Sequence, residues 1–352
     1  MPEAPEFRGN SYRHSVALNR WIARTRKEQA LEPDLPIIDP HHHLWDDDRG
    51  PYLLPGILND IGGGHNVKAT VFIECRANYR AGVADADRPL GEVEFVNGIS
   101  AMSASGNYGP CRVAASIIGH ADLRLGEKVQ DVLERQIALT GGRMTGIRWS
   151  FPWDASEVGK HVSRYVEPEI TKNATWRAGY ARLGKLGLTF EGWCYHPQIP
   201  ELTALARAYP DVTIILNHVG GFLGVGPYAS RKSEEFQRWK RSIVELATCP
   251  NVVVKLGGLG MLIFGFDLHL RDDPPSSELL AQTWKPFIET CIDAFGVGRC
   301  MYESNFPVDK QSCDYTACWN AFKRLSAGAS AAEKTALFSG TAARMYRIAP
   351  PG

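Results

Sequence analysis

Eight short apolar runs, four to seven residues each, recur along this chain and alternate with stretches of helical periodicity. The runs are Pro36–Pro40, Ala69–Cys75 ("ATVFIEC"), Arg112–Ile117, Gly146–Trp149, Leu188–Gly192, Val212–Asn217, Val252–Leu256 and Arg299–Tyr302. Most are continuously apolar and do not alternate strictly, which suits strands buried on both faces of a parallel sheet. Between them, "SSELLAQTWKPFIETCIDAFG" places Leu280, Trp284, Phe287, Cys291 and Phe295 on one helical stripe, with Gly296 as a stop. "EKVQDVLERQIALTGG" and "IPELTALARAYP" behave alike. Such βα alternation builds either a closed (β/α)8 barrel or an open doubly wound sheet, and a count of eight favours the barrel. The expected architecture is therefore α/β: a (β/α)8 TIM barrel over residues 36–349, preceded by a helical N-terminal extension over residues 1–35. Two long stretches, Ala77–Gly109 and Gly257–Ser277, follow the second and seventh strands. In a barrel both fall on the catalytic face, where they are candidate lids.

Composition narrows the function classes. Lys plus Arg equals Asp plus Glu, 39 each. No basic stripe argues for nucleic acid. No apolar run approaches a membrane span, and the polar start "MPEAPEFRGNSYRHS" has no apolar leader, so a cytoplasmic protein is expected. The eight cysteines form no C-x-x-C pair and several lie inside apolar runs, so they are expected reduced and buried. The partner expected is a small molecule. The sequence leaves the oligomeric state open, a homo-oligomer included.

The chemistry concentrates where the apolar runs end. The first run leads into "DPHHHLW". In an extended strand alternate residues share a face, so Asp39, His41 and His43 are expected on one face and His42 on the other. Two imidazoles from one strand end can chelate a single cation. Later runs also end in polar groups: Glu74 and Arg76, Arg148 and Trp149, Glu191 with the following Tyr195 and His196, His218, and "YESNFPVD" with Glu303, Asn305 and Asp309. Ionisable residues after apolar strands are the layout of a barrel active site. Arg148 is expected to clamp a substrate carboxylate or to form a structural ion pair. Lys255 is expected to point inward and pair with Glu191 or Glu74.

With these motifs in view, the chain resembles the amidohydrolase superfamily, in particular the amidohydrolase-related group that includes pyrone-dicarboxylate and sugar-acid lactonases. The carriers are "DPHHHLW", "GIRW", "ILNHVGG", "VVVKLGGL", "ESNFPVD" and "LFSGTAARMYRI". The resemblance implies hydrolytic chemistry at the mouth of a barrel. His41 and His43 match the first-strand pair and His218 the sixth-strand histidine. Asn305 falls where the eighth-strand aspartate is usual. A neutral amide cannot be a general base near neutral pH, so that task is expected to pass to Asp309 or Glu303; Asp309 could instead cap the helix that follows.

The expected catalytic set is His41, His43, His196, His218, Asn305 and Asp309. Arg76, Tyr79, Arg148, Trp149 and Tyr195 are expected to bind a carboxylated substrate. The expected cofactor is one divalent ion, zinc, on His41 and His43 with His196 or His218 completing the set, and the group also admits a metal-free site. The expected reaction is opening of a lactone or similar ester-like bond. Its rivals are a zinc-dependent decarboxylase of the same superfamily and a ligand-binding barrel without activity.

Overall fold

The computed structural model describes residues 14–161 and 166–350. Eight parallel strands run in sequence order: β1 (Pro36–His42), β2 (Asn66–Ile73), β3 (Arg112–Gly119), β4 (Met144–Ser150), β5 (Thr189–Trp193), β6 (Ile214–Leu216), β7 (Val252–Leu256) and β8 (Cys300–Tyr302). Every apolar run of the sequence supplies one of them. The surrounding helices are α1 (Ser15–Ile22), α2 (Leu54–Ile61), α3 (Leu90–Ala104), α4 (Val129–Leu139), α5 (Ala174–Leu186), α6 (Ile199–Ala208), α7 (Lys232–Ala247), α8 (Ser277–Phe295), α9 (Tyr315–Leu325), α10 (Ala331–Thr335) and α11 (Thr341–Met345). The fold is a nearly closed TIM barrel. Among the described residues no helix is long and apolar enough to cross a membrane.

Strand parity sorts the core into two layers. Ile38, Val71, Ile73, Ile118, Ile215, Val253 and Met301 face the barrel interior, joined there by Tyr346 from beyond α11. The intervening residues, such as Ile147, Phe190, Leu216 and Val254, pack outward against the helices. Helix ends follow local chemistry. Asn173 caps α5, whose C-terminal Gly187 takes φ 64°, and Ser276 and Asp314 cap α8 and α9. The cap of α9 is therefore Asp314, which frees Asp309 from the capping role open to it in the sequence.

The last seam of the ring is irregular. No ladder joins β8 to β1; a single bridge pairs His42 with Phe306. The His43 N–H donates to the Phe306 carbonyl (2.8 Å), Asn305 N–H to the His41 carbonyl (3.0 Å) and Ser304 N–H to Asp39 Oδ1 (3.0 Å).

The segment before β1 is strapped to the outside. Glu28 accepts from Ser277 and Asn320, and Lys323 Nζ donates to the carbonyls of Leu31 (2.7 Å) and Glu32 (2.9 Å). Residues 1–13 of the expected extension lie outside the described residues. Of the two expected lids, the one after β2 runs over residues 74–89 before α3 begins, and the one after β7 spans residues 257–276 with only short 3-10 turns. After β4, the described residues 151–161 and 166–173 hold two 3-10 turns and no α-helix or strand. All eight cysteines are free, and all but Cys75 are fully buried.

Candidate active site

Glu303 lies at the centre of the site, just past β8. Met301 faces the barrel interior, so alternation turns Glu303 the same way. Its Oε1 receives hydrogen bonds from His218 Nδ1 (2.7 Å) and from the His218 backbone N–H (3.1 Å). Its Oε2 lies 2.8 Å from His41 Nδ1, off the line of an N–H bond, and has no hydrogen-bond donor although it is buried. Two glycines make room for this. A Cβ on Gly258 (φ 67°) would fall 2.3 Å from His218 Nδ1, and one on Gly257 would fall 2.5 Å from Glu303 Cγ. The "LGGL" after β7 is thus a steric requirement of the two groups above it. His218 itself has φ 53° and Val219 φ 48°. A β-branched residue in the left-handed region is strained, and such strain concentrates at functional sites.

His218 is neutral at physiological pH, because burial depresses its pKa more than Glu303 restores it. Its proton sits on Nδ1, facing an acceptor-only carboxylate, so Nε2 carries a bare lone pair. The edge of Trp193 packs against this ring at 4.8 Å between centroids. His43 is fixed in the same tautomer, since its Nδ1 meets the Ile73 carbonyl at 2.8 Å. His43 Nε2 then lies 3.3 Å from His41 Nε2. The shared face expected for the H-x-H pair is present. His42 turns away to Thr70 Oγ1 (2.8 Å).

Two cations flank His41. Arg148 Nη1 lies 3.3 Å from Nε2 and Lys255 Nζ lies 3.3 Å from Nδ1. Burial, reinforced by the Lys255 charge, holds His41 well below the ordinary histidine range. Each cation has its own counter-charge. Arg148 Nε donates to Glu74 Oε1 (3.0 Å) and Nη2 to the Glu74 carbonyl, while Lys255 Nζ pairs with Glu191 Oε2 (2.8 Å). Glu191 also accepts from Tyr346 and Asn217. Buried ion pairs of this kind persist only where further hydrogen bonds serve both partners.

The family model described as amidohydrolase matches residues 38–348. The chain belongs to this amidohydrolase family. Among curated relatives, the uncharacterised protein y4mH of Sinorhizobium fredii is 32% identical, over 90% of this chain and 99% of its own. An L-fucono-1,5-lactonase of Burkholderia multivorans is 25% identical, over 89% of this chain and 97% of its own. Among solved structures, an amidohydrolase from Burkholderia multivorans with bound zinc superposes with a TM-score of 0.68 at 23% identity, covering 89% of this chain and 99% of that one.

Within the amidohydrolase barrel, several expected site residues stand elsewhere. His196 is carried outward by the short turn after β5. Its Nε2 pairs with Glu235 (3.0 Å) and its Nδ1 accepts the Leu223 N–H (3.2 Å), so neither nitrogen is left for a metal. Trp149 follows strand parity to the outer face and packs edge-on against Trp176, so it cannot wall the mouth. Asp39 does not share a face with His41: a register shift in β1 between Asp39 and His42 turns its carboxylate to Ser304 N–H and to the Tyr315 hydroxyl (3.0 Å). Asp309 accepts from Gly260 N–H (2.8 Å) and Asn305 Nδ2 (2.8 Å), and burial raises its pKa well above the carboxylate range. It is a tie between the β7 and β8 loops. Asn305 Oδ1 is buried without a donor. Tyr195 is buried beside Trp193. Arg76 is exposed after β2 with φ 68°, and Tyr79 is half-buried three residues on.

The donor set fits a divalent cation. His41, His218 and Glu303 offer ligand atoms all within 4.8 Å of one another. Two neutral imidazoles and a carboxylate are a zinc-type set. The unserved Glu303 Oε2 is what such an ion would satisfy. Of the expected ligands, His41 and the alternative His218 belong to this group, while His43 and His196 do not. Glu303 was only the second choice as base, and its central place was missed. The available signal was its parity with Met301, which pointed it inward.

Proposed function

We propose that this amidohydrolase opens a lactone, or a similar ester-like bond, in a small carboxylated acid. The observation that carries the reading is the His218–Glu303 pair. A neutral imidazole is oriented by a carboxylate on Nδ1 and presents Nε2 as a base. Water attacks the carbonyl carbon and gives its proton to His218 Nε2. The carbon–oxygen bond of the ring then breaks, and the departing oxygen takes that proton, leaving a hydroxy acid. Glu303 holds the imidazolium during the transfer. Arg148 Nη1 is the charged donor for the substrate carboxylate, since the opposite edge of its guanidinium is committed to Glu74. Asn305 Oδ1 is an acceptor for the water or for a substrate hydroxyl.

His218 Nε2 serves as base in the metal-free site; were a cation, zinc by donor type, held on His41, His218 and Glu303, that nitrogen would be its ligand and the cation would polarise the carbonyl. The zinc in the similar Burkholderia structure supports that choice, and the full-length likeness to an L-fucono-1,5-lactonase supports a lactone of a sugar acid. The test is a panel of sugar-acid and pyrone lactones with the purified protein, read by proton release and by gain of one water in product mass. Ring opening on at least one lactone is expected. Release of carbon dioxide from an aromatic or unsaturated acid, with no lactone opened, would overturn the reading in favour of decarboxylation.

A further inference from the structure

Glu92 lies on the first turn of α3, buried, and touches none of the groups assigned above to the reaction. Its Oε1 accepts two backbone N–H groups, from Cys75 (2.9 Å) and Ala77 (2.8 Å). The residue between them, Arg76, takes φ 68°, so the chain wraps the carboxyl oxygen as an anion-binding nest. Helix and loop meet closely enough that a Cβ on Gly91 would fall 2.4 Å from the Asn78 carbonyl oxygen.

The nest has one further member. The peptide that gives its N–H at Cys75 to Glu92 is the one whose carbonyl, at Glu74, accepts from Arg148 Nη2. The same Glu74 also holds Arg148 Nε with its side chain. One peptide group therefore links the Glu92 carboxyl to the Arg148 guanidinium, and Arg148 Nη1 in turn faces His41. The second Glu92 oxygen is buried with no donor. A carboxyl half-served in the interior costs stability, so packing alone gives no reason for it. Burial, with Glu74 nearby, raises its pKa to about 8, which leaves it mostly neutral and makes acceptor geometry its main contribution.

We propose that Glu92 is a positioning residue: it fixes the Glu74–Cys75 peptide and thereby aims Arg148 at the substrate. The substrate role of Arg148 rests on the function proposed above; the aiming does not. The test uses the full-length protein with Glu92→Ala, Glu92→Asp and Glu92→Gln. The first readout is the 15Nε–1H resonance of Arg148, assigned by its loss in Arg148→Lys. The second is kcat/KM on whichever lactone is opened. Glu92→Ala is expected to shift or broaden that resonance and to lower kcat/KM about 10- to 100-fold, the scale of a roughly 1 Å misplacement. Glu92→Asp, one methylene too short to reach both N–H groups, is expected to fall between and serves if the alanine variant does not fold. Glu92→Gln keeps the acceptor oxygen and is expected to retain the wild-type resonance.

An unchanged Arg148 resonance in folded Glu92→Ala or Glu92→Asp protein overturns the proposal, whatever the rate. Equal damage in Glu92→Gln and Glu92→Ala overturns it too. A moved resonance with an unchanged rate leaves the aiming intact and removes Arg148 from the reaction. If no lactone is opened at all, the resonance alone decides.

Discussion

At the scale of single residues, Glu303 accepts from the His218 ring and backbone through one oxygen and holds its other, undonated oxygen beside His41. Replacing it with an amide of the same shape removes the acceptor-only partner that fixes the His218 tautomer. Glu303→Gln is therefore expected to lower kcat by about 10²–10⁴, the range of general-base catalysis; steady-state rates with folding checked by circular dichroism measure it. Gly258 gives a sharper probe, because it has no side chain to lose and a Cβ there would strike the His218 ring. Alanine there must displace the ring, at a stability cost of about 1–3 kcal/mol for overpacking. A large fall in kcat is expected in Gly258→Ala protein that still unfolds cooperatively. A normal rate would mean that His218 does no chemistry.

Asp309 should behave oppositely. An amide still accepts from Gly260 N–H, so Asp309→Asn is expected to cost about 0.5–1.5 kcal/mol, one hydrogen bond, in urea unfolding. Its kcat should stay near wild type, and a loss of a hundredfold or more would return Asp309 to the mechanism. These assignments also show where sequence logic stopped. His41, His43 and His218 were legible because strand parity and flanking glycines place them. His196 and Trp149 were misplaced because a short turn after β5 and a one-residue parity step in β4 decide which side of the wall a ring occupies.

Among the elements, the strands were the legible part, since burial on both faces writes continuous apolar runs. The loops were not: the described residues 151–161 and 166–173 after β4 were not foreseen, and α3 lies within what looked like a lid. The helix-to-loop contacts were equally silent. Lys323 on α9 ties the strap before β1 to the entry of β2, where its Nζ meets His65 Nδ1 at 2.9 Å while His65 Nε2 faces the Thr316 carbonyl. His65 is thus held neutral, and burial with the Lys323 charge lowers its pKa to about 4. Below the ordinary histidine pKa near 6.5 the unfolded chain binds the proton and the folded one does not. Stability from this contact is therefore complete above about pH 6.5 and is lost as pH falls toward 4, by about 1.4 kcal/mol per pH unit. Urea unfolding at pH 7 and pH 5 should show wild-type protein losing about 2 kcal/mol more than His65→Gln over that interval. Equal losses would place the proton elsewhere.

For the molecule as a whole, the strap and the seam are the two features that the strand pattern could not foretell. The strap joins α8, α9 and α10 through Glu28, Glu32 and the carbonyls at 31 and 32, and Trp21 Nε1 reaches the Arg271 carbonyl (3.0 Å). Several net hydrogen bonds near 1 kcal/mol each are at stake. A chain beginning at residue 36 is expected to melt on the order of 5–10 °C lower, read by calorimetry, while keeping its activity at room temperature. An unchanged melting temperature would make the strap an ornament of the fold.

The seam carries a different implication. The ring is shut between β8 and β1 by His41, His43, Ser304, Asn305 and Phe306, and two histidines of the candidate site are among them. Closing the circle and assembling the chemistry are one event. Turnover in a refolding mixture should therefore appear no earlier than the meeting of the two ends of the sheet.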